Sequence, residues 1–174
     1  AWDAAVATAG PGAFEGDILA NMHGEIFRGG GDDPGNEFII GSGPGAMMCR
    51  YFTGRRHLET QDQLTLEWAG TYRHYHSAMM RTLRIGKPPA RQLEMWKAAQ
   101  DALLACEAAL KPGRTVGEVF DAHARSLDGA GFSKARLNAC GSSLGTTYAP
   151  NWMDWPMLYK NNPVVAAPGM VFFI

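Results

Sequence analysis

Apolar residues recur at helical spacing in three stretches of the chain. Ile18, Met22 and Ile26 form one stripe, and Val116, Val119, Phe120, His123 and Leu127 form another. Leu93, Trp96, Ala99, Leu103, Cys106 and Leu110 form the longest. Steps of three and four residues place each set on one helix face. The first predicted helix follows Pro11-Gly12 and stops at Gly29-Gly30-Gly31. The second covers about 91–110 and is stopped by Lys111-Pro112-Gly113. The third opens at Thr115, whose spacing to Glu118 is that of a capping box, and ends at Gly129 and Gly131. Strands are predicted at 37–41, 64–70, 75–85, 137–144 and 169–174. The clearest is Leu64-Thr65-Leu66-Glu67-Trp68, which alternates at period two.

Residues 11–19 and 112–120 match without a gap. Pro11, Gly12 and Gly16 return as Pro112, Gly113 and Gly117, Asp17 faces Glu118, and two apolar positions follow in each. In both copies a Pro-Gly turn leads into an amphipathic helix and then strands. A unit used twice predicts an α+β fold with a pseudo-two-fold internal repeat and a curved mixed or antiparallel sheet covered by helices. Repeat one spans about 11–86, the linking helix about 91–110 and repeat two about 112–174. The second copy stops where its next strand pair is due, so the chain is expected to be cut from a larger protein.

Composition narrows the function. Lys plus Arg total 16 and Asp plus Glu 17, for a net charge of -1. That balance excludes a nucleic-acid binder acting through bulk charge. Hydrophobic residues at 46% exclude a disordered chain. No apolar run approaches the roughly 18 residues of a membrane helix. Cys49, Cys106 and Cys140 make no Cys-x-x-Cys pair, so a reducing, cytoplasmic setting is expected rather than a disulfide scaffold.

Several residues carry candidate chemistry. Alternation puts Glu67 on the face opposite Leu64, Leu66 and Trp68. It reads as a solvated carboxylate or as a carboxylate lining a cleft beside Trp68, its pKa raised by burial and fit for base or nucleophile work. His74 and His76 would share one side of a strand, as a metal-binding or a hydrogen-bonded pair. Arg50 reads as a surface charge or as a clamp for a substrate carboxylate. Asn151-Trp152-Met153-Asp154-Trp155-Pro156-Met157 is an apolar wall with one acid, suited to a small cationic or zwitterionic ligand or to core packing. Tyr148 closes the small polar run that precedes it.

The Pro-Gly helix repeat, Ile40-Gly41-Ser42-Gly43-Pro44, Leu66-Glu67-Trp68-Ala69-Gly70, Tyr75-His76-Ser77 and Gly141-Ser142-Ser143-Leu144-Gly145 together resemble the pita-bread family of creatinase, Xaa-Pro dipeptidases and methionine aminopeptidases. The resemblance covers nearly the whole chain. It implies aspartate ligands where Trp68 and Ala78 stand, a histidine ligand where Ser142 stands and a proton-transfer histidine where Arg50 stands. These departures predict that no metal and no other cofactor is held. Within the family, Gly30-Gly31-Asp32-Asp33-Pro34 and Tyr148-Ala149-Pro150-Asn151-Trp152 are most similar to the ectoine-hydrolase branch.

That resemblance implies a metal-independent hydrolase opening a cyclic amidine ring. In it Glu67 is nucleophile or base and His76 a proton shuttle, while Arg50, Trp68, Tyr148 and Trp152 bind a small zwitterionic substrate. Neither nucleic acid nor membrane is an expected partner, and the intact protein is expected to be a homodimer. The alternatives are a metal-dependent Xaa-Pro dipeptidase or dimethylsulfoniopropionate lyase, and an inactive peptide-binding relative.

Overall fold

Helices α1 (Trp2–Thr8) and α2 (Glu15–Arg28) precede strand β1 (Ile39–Ser42) and a 3-10 turn (Gly43–Met47). Then come β2 (Asp62–Tyr72), β3 (Tyr75–Ile85), α3 (Ala90–Ala109), α4 (Val116–Gly129), β4 (Ala139–Ser143), β5 (Asp154–Tyr159) and β6 (Phe172–Phe173). This computed structural model describes residues 1–47 and 55–174. Two compact units result: Ala1–Pro88 with Gly145–Trp152, and Pro89–Leu144 with Met153–Ile174. Among the described residues no helix is long and apolar enough to cross a membrane.

In the first unit β1, β2 and β3 form an antiparallel sheet in that order. Leu64, Leu66 and Trp68 point from one face of β2 into a core shared with Ile18 and Met22 of α2, Ala5 of α1, and Phe38 and Ile40. The seven-residue α1 was not legible in the hydrophobic pattern. It is held by Trp2, whose ring lies parallel to Trp68 with centroids 5.7 Å apart. In the second unit β4 is central, between β5 and β6. Cys106, Val116, Val119 and Leu158 form its core. β5 arises from the aromatic wall segment, whose Trp and Pro content masks its alternation.

The repeat extends well beyond nine residues. Phe14 and Thr115 are the N-caps of α2 and α4, and both helices run for 14 residues. Gly12 and Gly113 both take positive φ, 84° and 87°, where a side chain would be strained. Each donates its N–H to a backbone carbonyl far along the chain, Gly12 to Leu58 at 2.7 Å and Gly113 to Ala166 at 2.9 Å. The next rung repeats too, with Glu15 N–H donating to Arg56 O and Val116 N–H to Val164 O. Ser42 pairs with Leu64 as Ser143 pairs with Phe172. The capping box at Thr115 is formed in both directions.

The α3 face is the one substantial departure from the pattern. Leu93, Trp96 and Leu103 were expected inside, yet Trp96 is 63% exposed and the buried residues are Ala98, Ala102 and Cys106. Small side chains one turn apart let α3 approach α4 closely, which large ones on that face would prevent.

The two copies differ in what they bury at the helix start. Val116 is fully buried in one, and in the other the same position is Glu15, only 1% exposed. Its carboxylate is satisfied on both oxygens. Ser42 donates from N–H (2.7 Å) and from Oγ (2.5 Å) to Oε1, and Arg56 N–H donates to Oε2 (3.0 Å). The Arg56 guanidinium continues the network to Ser42 Oγ (2.8 Å) and to Asp62. Burial pushes the Asp62 carboxyl up, but donation from the Glu59 and Gln63 amides and from Arg56 outweighs it. The net result lies below the ordinary carboxylate value.

Glu15→Ala in the intact protein should lower unfolding free energy by about 2–4 kcal/mol, read from urea unfolding, because it strands three buried donors. Asp62 ionises more readily folded than unfolded, so it contributes stability above the unfolded value of 3.8 that is lost as pH falls through it. Urea midpoints measured from roughly pH 7 down to pH 3 should therefore drop at the acid end, and Asp62→Asn should flatten that drop.

Candidate functional site

The hairpin register decides what can share a surface. β2 and β3 pair Glu67 with Met80, Ala69 with Ala78 and Thr71 with His76, so these six project from one face. The opposite face carries Leu64, Leu66 and Trp68 into the core. On its other side Glu67 faces Ile39 of β1. The half-buried Glu67 thus stands between Ile39 and Met80, beside a floor of two alanines.

This geometry corrects two expectations. Trp68 is 3% exposed and stacked on Trp2, so it neither lies beside the Glu67 carboxylate nor reaches a substrate. Two ligands of one ion must also lie on one face, and Ala78 shares its face with Glu67 rather than with Trp68. The place expected for an acidic ligand on β2 is therefore filled by Glu67 itself.

His76 is also not where a proton shuttle belongs. It is buried, and Gly35 N–H donates to its Nε2 at 2.7 Å. That bond leaves the proton on Nδ1, which lies 2.9 Å from His74 O, with Thr147 Oγ1 at 3.1 Å. Both ring nitrogens are therefore engaged. Trp152, 1% exposed, packs on the imidazole with centroids 6.2 Å apart, so this indole too is core rather than ligand wall. The imidazole gathers three segments: the loop after α2, the hairpin turn and residues 145–147. Gly35 permits this, since a Cβ there would press on the backbone of Tyr148 and Asn151.

His74 does not share a strand face with His76. It occupies the two-residue turn between β2 and β3, where Arg73 and His74 both have positive φ (50° and 63°). This is the geometry of a tight hairpin turn, adopted here without glycine. Asp32 stabilises it by accepting from His74 N–H at 3.1 Å, and the exposed Tyr148 covers the His74 ring at 4.4 Å. Arg50 lies outside the described residues.

The donors present do not fit a pair of divalent ions. Among the described residues no three His, Cys, Asp or Glu side chains converge. Among the described strand residues, Glu67 is flanked on its face by Thr65, Ala69, Ala78, Met80 and Thr82, which supply no carboxylate or imidazole ligand. Ser142 is buried, and its hydroxyl has no hydrogen-bond partner. A neutral hydroxyl is a poor replacement for imidazole.

Two cavities lie apart from Glu67. One of about 290 Å³ borders the His76 clasp and is lined by His23, Asp33, Glu37 and Pro150. Burial pushes the His23 imidazole down, opposed by Asp33. The other, about 460 Å³, lies beside Phe120, Asp128 and Arg136. The partners of His76, Gly35 and Thr147, were missed from sequence because nothing local links positions so far apart.

The architecture is that of the pita-bread hydrolases. Prolidase from Pyrococcus furiosus superposes on 98% of the chain with a TM-score of 0.90 at 23% identity, using 50% of that protein. Dipeptidase PepE from Mycobacterium ulcerans does so with a TM-score of 0.88 at 26% identity over 98% of this chain and 45% of that one. The family model for metallopeptidase family M24 matches residues 1–174, and the chain belongs to that family.

Curated relatives include ectoine hydrolase of Halomonas elongata, 27% identical over 86% of this chain and 37% of its own length. A probable dipeptidase PepE of Mycobacterium tuberculosis is 31% identical over 94% of this chain and 43% of its own. The chain thus spans less than half the length of these relatives.

His76→Ala should lower the stability of the intact protein by about 1–3 kcal/mol in urea unfolding, because Gly35 N–H and Thr147 lose a buried partner. The pH profile of kcat should keep its shape in His76→Asn, whereas removal of a proton shuttle would erase one limb.

Proposed function

We propose that the intact protein is a metal-independent hydrolase that opens a C–N bond of a small cyclic amidinium of the ectoine class. The observation that carries this is the composition of the Glu67 face, where one carboxylate stands with threonine, alanine and methionine as its described neighbours on β2 and β3. A protonated amidinium is already electrophilic at the carbon between its nitrogens, so it needs charge pairing and a base rather than a Lewis acid. The Glu67 carboxylate pairs with the cation and takes a proton from water. The hydroxide adds to the amidine carbon. One ring C–N bond then breaks, the departing nitrogen leaves as an amine, and the product is N-acetylated 2,4-diaminobutyrate. Similarity to the Halomonas ectoine hydrolase supports this reading. Arg50 is assigned to the substrate carboxylate, and the exposed Tyr148 to the zwitterion near the hairpin turn.

A second reading, a metal-dependent dipeptidase, draws on the 31% identity to the Mycobacterium PepE protein. It requires a cluster of ligands, and among the described residues no three His, Cys, Asp or Glu side chains converge.

The test is turnover of ectoine by the intact protein after exhaustive chelation. Activity should persist, and Glu67→Gln should lower kcat by about 10³-fold while the thermal midpoint stays unchanged. Loss of activity on chelation with recovery on metal addition, or cleavage of Xaa-Pro dipeptides in place of ectoine, would establish the dipeptidase instead.

A further inference from the structure

The second unit holds a cavity of about 460 Å³, large enough for a small organic molecule. One wall is a face of α4 with Phe120, Asp121, Arg125 and Asp128. The rest includes Arg136 ahead of β4, and Tyr159 and Lys160 where β5 ends. The chemistry assigned to Glu67 uses none of these residues. Arg136 and Asp128 neutralise each other, with Nε and Nη2 donating to the two carboxylate oxygens at 2.7 and 3.3 Å. The same guanidinium stands over the Phe120 ring, 5.9 Å from its centroid, so this part of the wall is held in place.

The remaining charges stay unpaired. Asp121 and Arg125 are four residues apart on α4 with the acid nearer the N-terminus, the order that favours an ion pair. Neighbours at the same spacing do pair elsewhere, Lys97 with Asp101 at 3.1 Å and Arg114 with Glu118 at 2.9 Å. Among the described residues, however, the side chains of Asp121, Arg125 and Lys160 meet no ion-pair or hydrogen-bond partner. Asp121 is also half-buried, and a carboxylate partly withdrawn from water without a partner is a favoured seat for a cation. The cavity thus carries one unpaired acid and two unpaired bases beside the exposed ring of Tyr159.

We infer that this cavity binds a free α-amino acid with an apolar or aromatic side chain. Its ammonium pairs with Asp121. Its carboxylate pairs with Arg125, whose planar fork suits two parallel hydrogen bonds, and with Lys160 as a second cation. Its side chain lies against the Tyr159 ring. A simple anion would meet the carboxylates of Asp121 and Asp128 in the same space, and a simple cation would meet Arg125 and Lys160. A zwitterion answers both signs. Side chains four apart on a helix start about 5–6 Å from each other, which suits a ligand whose two charges sit on one carbon rather than at the ends of a long chain.

The experiment is titration calorimetry on the intact protein with L-phenylalanine and L-leucine. Saturable binding is expected. N-acetyl-L-phenylalanine and L-phenylalaninamide, each lacking one of the two charges, should bind about tenfold more weakly or worse. Arg125→Gln and Asp121→Asn should weaken L-phenylalanine to a similar degree. Glu67→Gln should bind it as the wild type does, which keeps this result separate from the outcome of the ectoine assay. Absence of saturable binding for both amino acids, undiminished affinity for either blocked form, or binding that is lost in Glu67→Gln and kept in Arg125→Gln would overturn the inference. The blocked forms decide the matter on wild-type protein even if a variant fails to fold.

Discussion

An antiparallel ladder assigns every side chain to one of two surfaces, and the pairing of Asp62 with Ile85 through Tyr72 with Tyr75 does so for the longest hairpin of this chain. A slip of one residue would send Trp68 out of the core and Glu67 into it. The tight turn at Arg73 and His74 holds the register at one end. At the other, Asp62 is tied to the Glu59 and Gln63 amides and to Arg56. Apolar burial of Leu64, Leu66 and Trp68 penalises any alternative between them. The placement of Glu67 beside Ile39, Ala69, Ala78 and Met80 follows from that ladder.

The duplicated frame shows which features geometry demands and which are free. Both copies keep the left-handed glycine, the backbone rungs behind it and the serine–strand pairing. They differ in the buried side chain at the helix start. Valine suffices in one, whereas the other accommodates a glutamate by surrounding it with Ser42 and Arg56 donors. A buried carboxylate is tolerated because each oxygen finds a donor, and the Arg56 guanidinium links its Ser42 donor to Asp62.

Much of this was readable in the residues themselves. The stripes of α2 and α4, the glycine stops, the capping box and the alternation around Glu67 are local signals, and the structure carries each of them. What was not readable depends on partners distant in the chain. The stripe of Leu93, Trp96 and Leu103 is a valid amphipathic face, but helix packing chose the smaller residues beside it. His76 carries no mark of its lock, since Gly35 and Thr147 are defined only by the fold. The segment of Trp152 read equally as a ligand wall or as core packing, and the indole is buried beside that imidazole. Placement of the carboxylate was legible, while identification of its companions needed the register.

The first unit is discontinuous, built from Ala1–Pro88 and from Gly145–Trp152. Its last piece emerges from the ribosome only after α3, α4 and β4 have been made. The imidazole of His76 therefore waits, with one side open, through the synthesis of most of the other unit. Order of translation and order of assembly run counter to each other here, because a nascent chain ending before residue 145 lacks the Trp152 indole that lies against that imidazole.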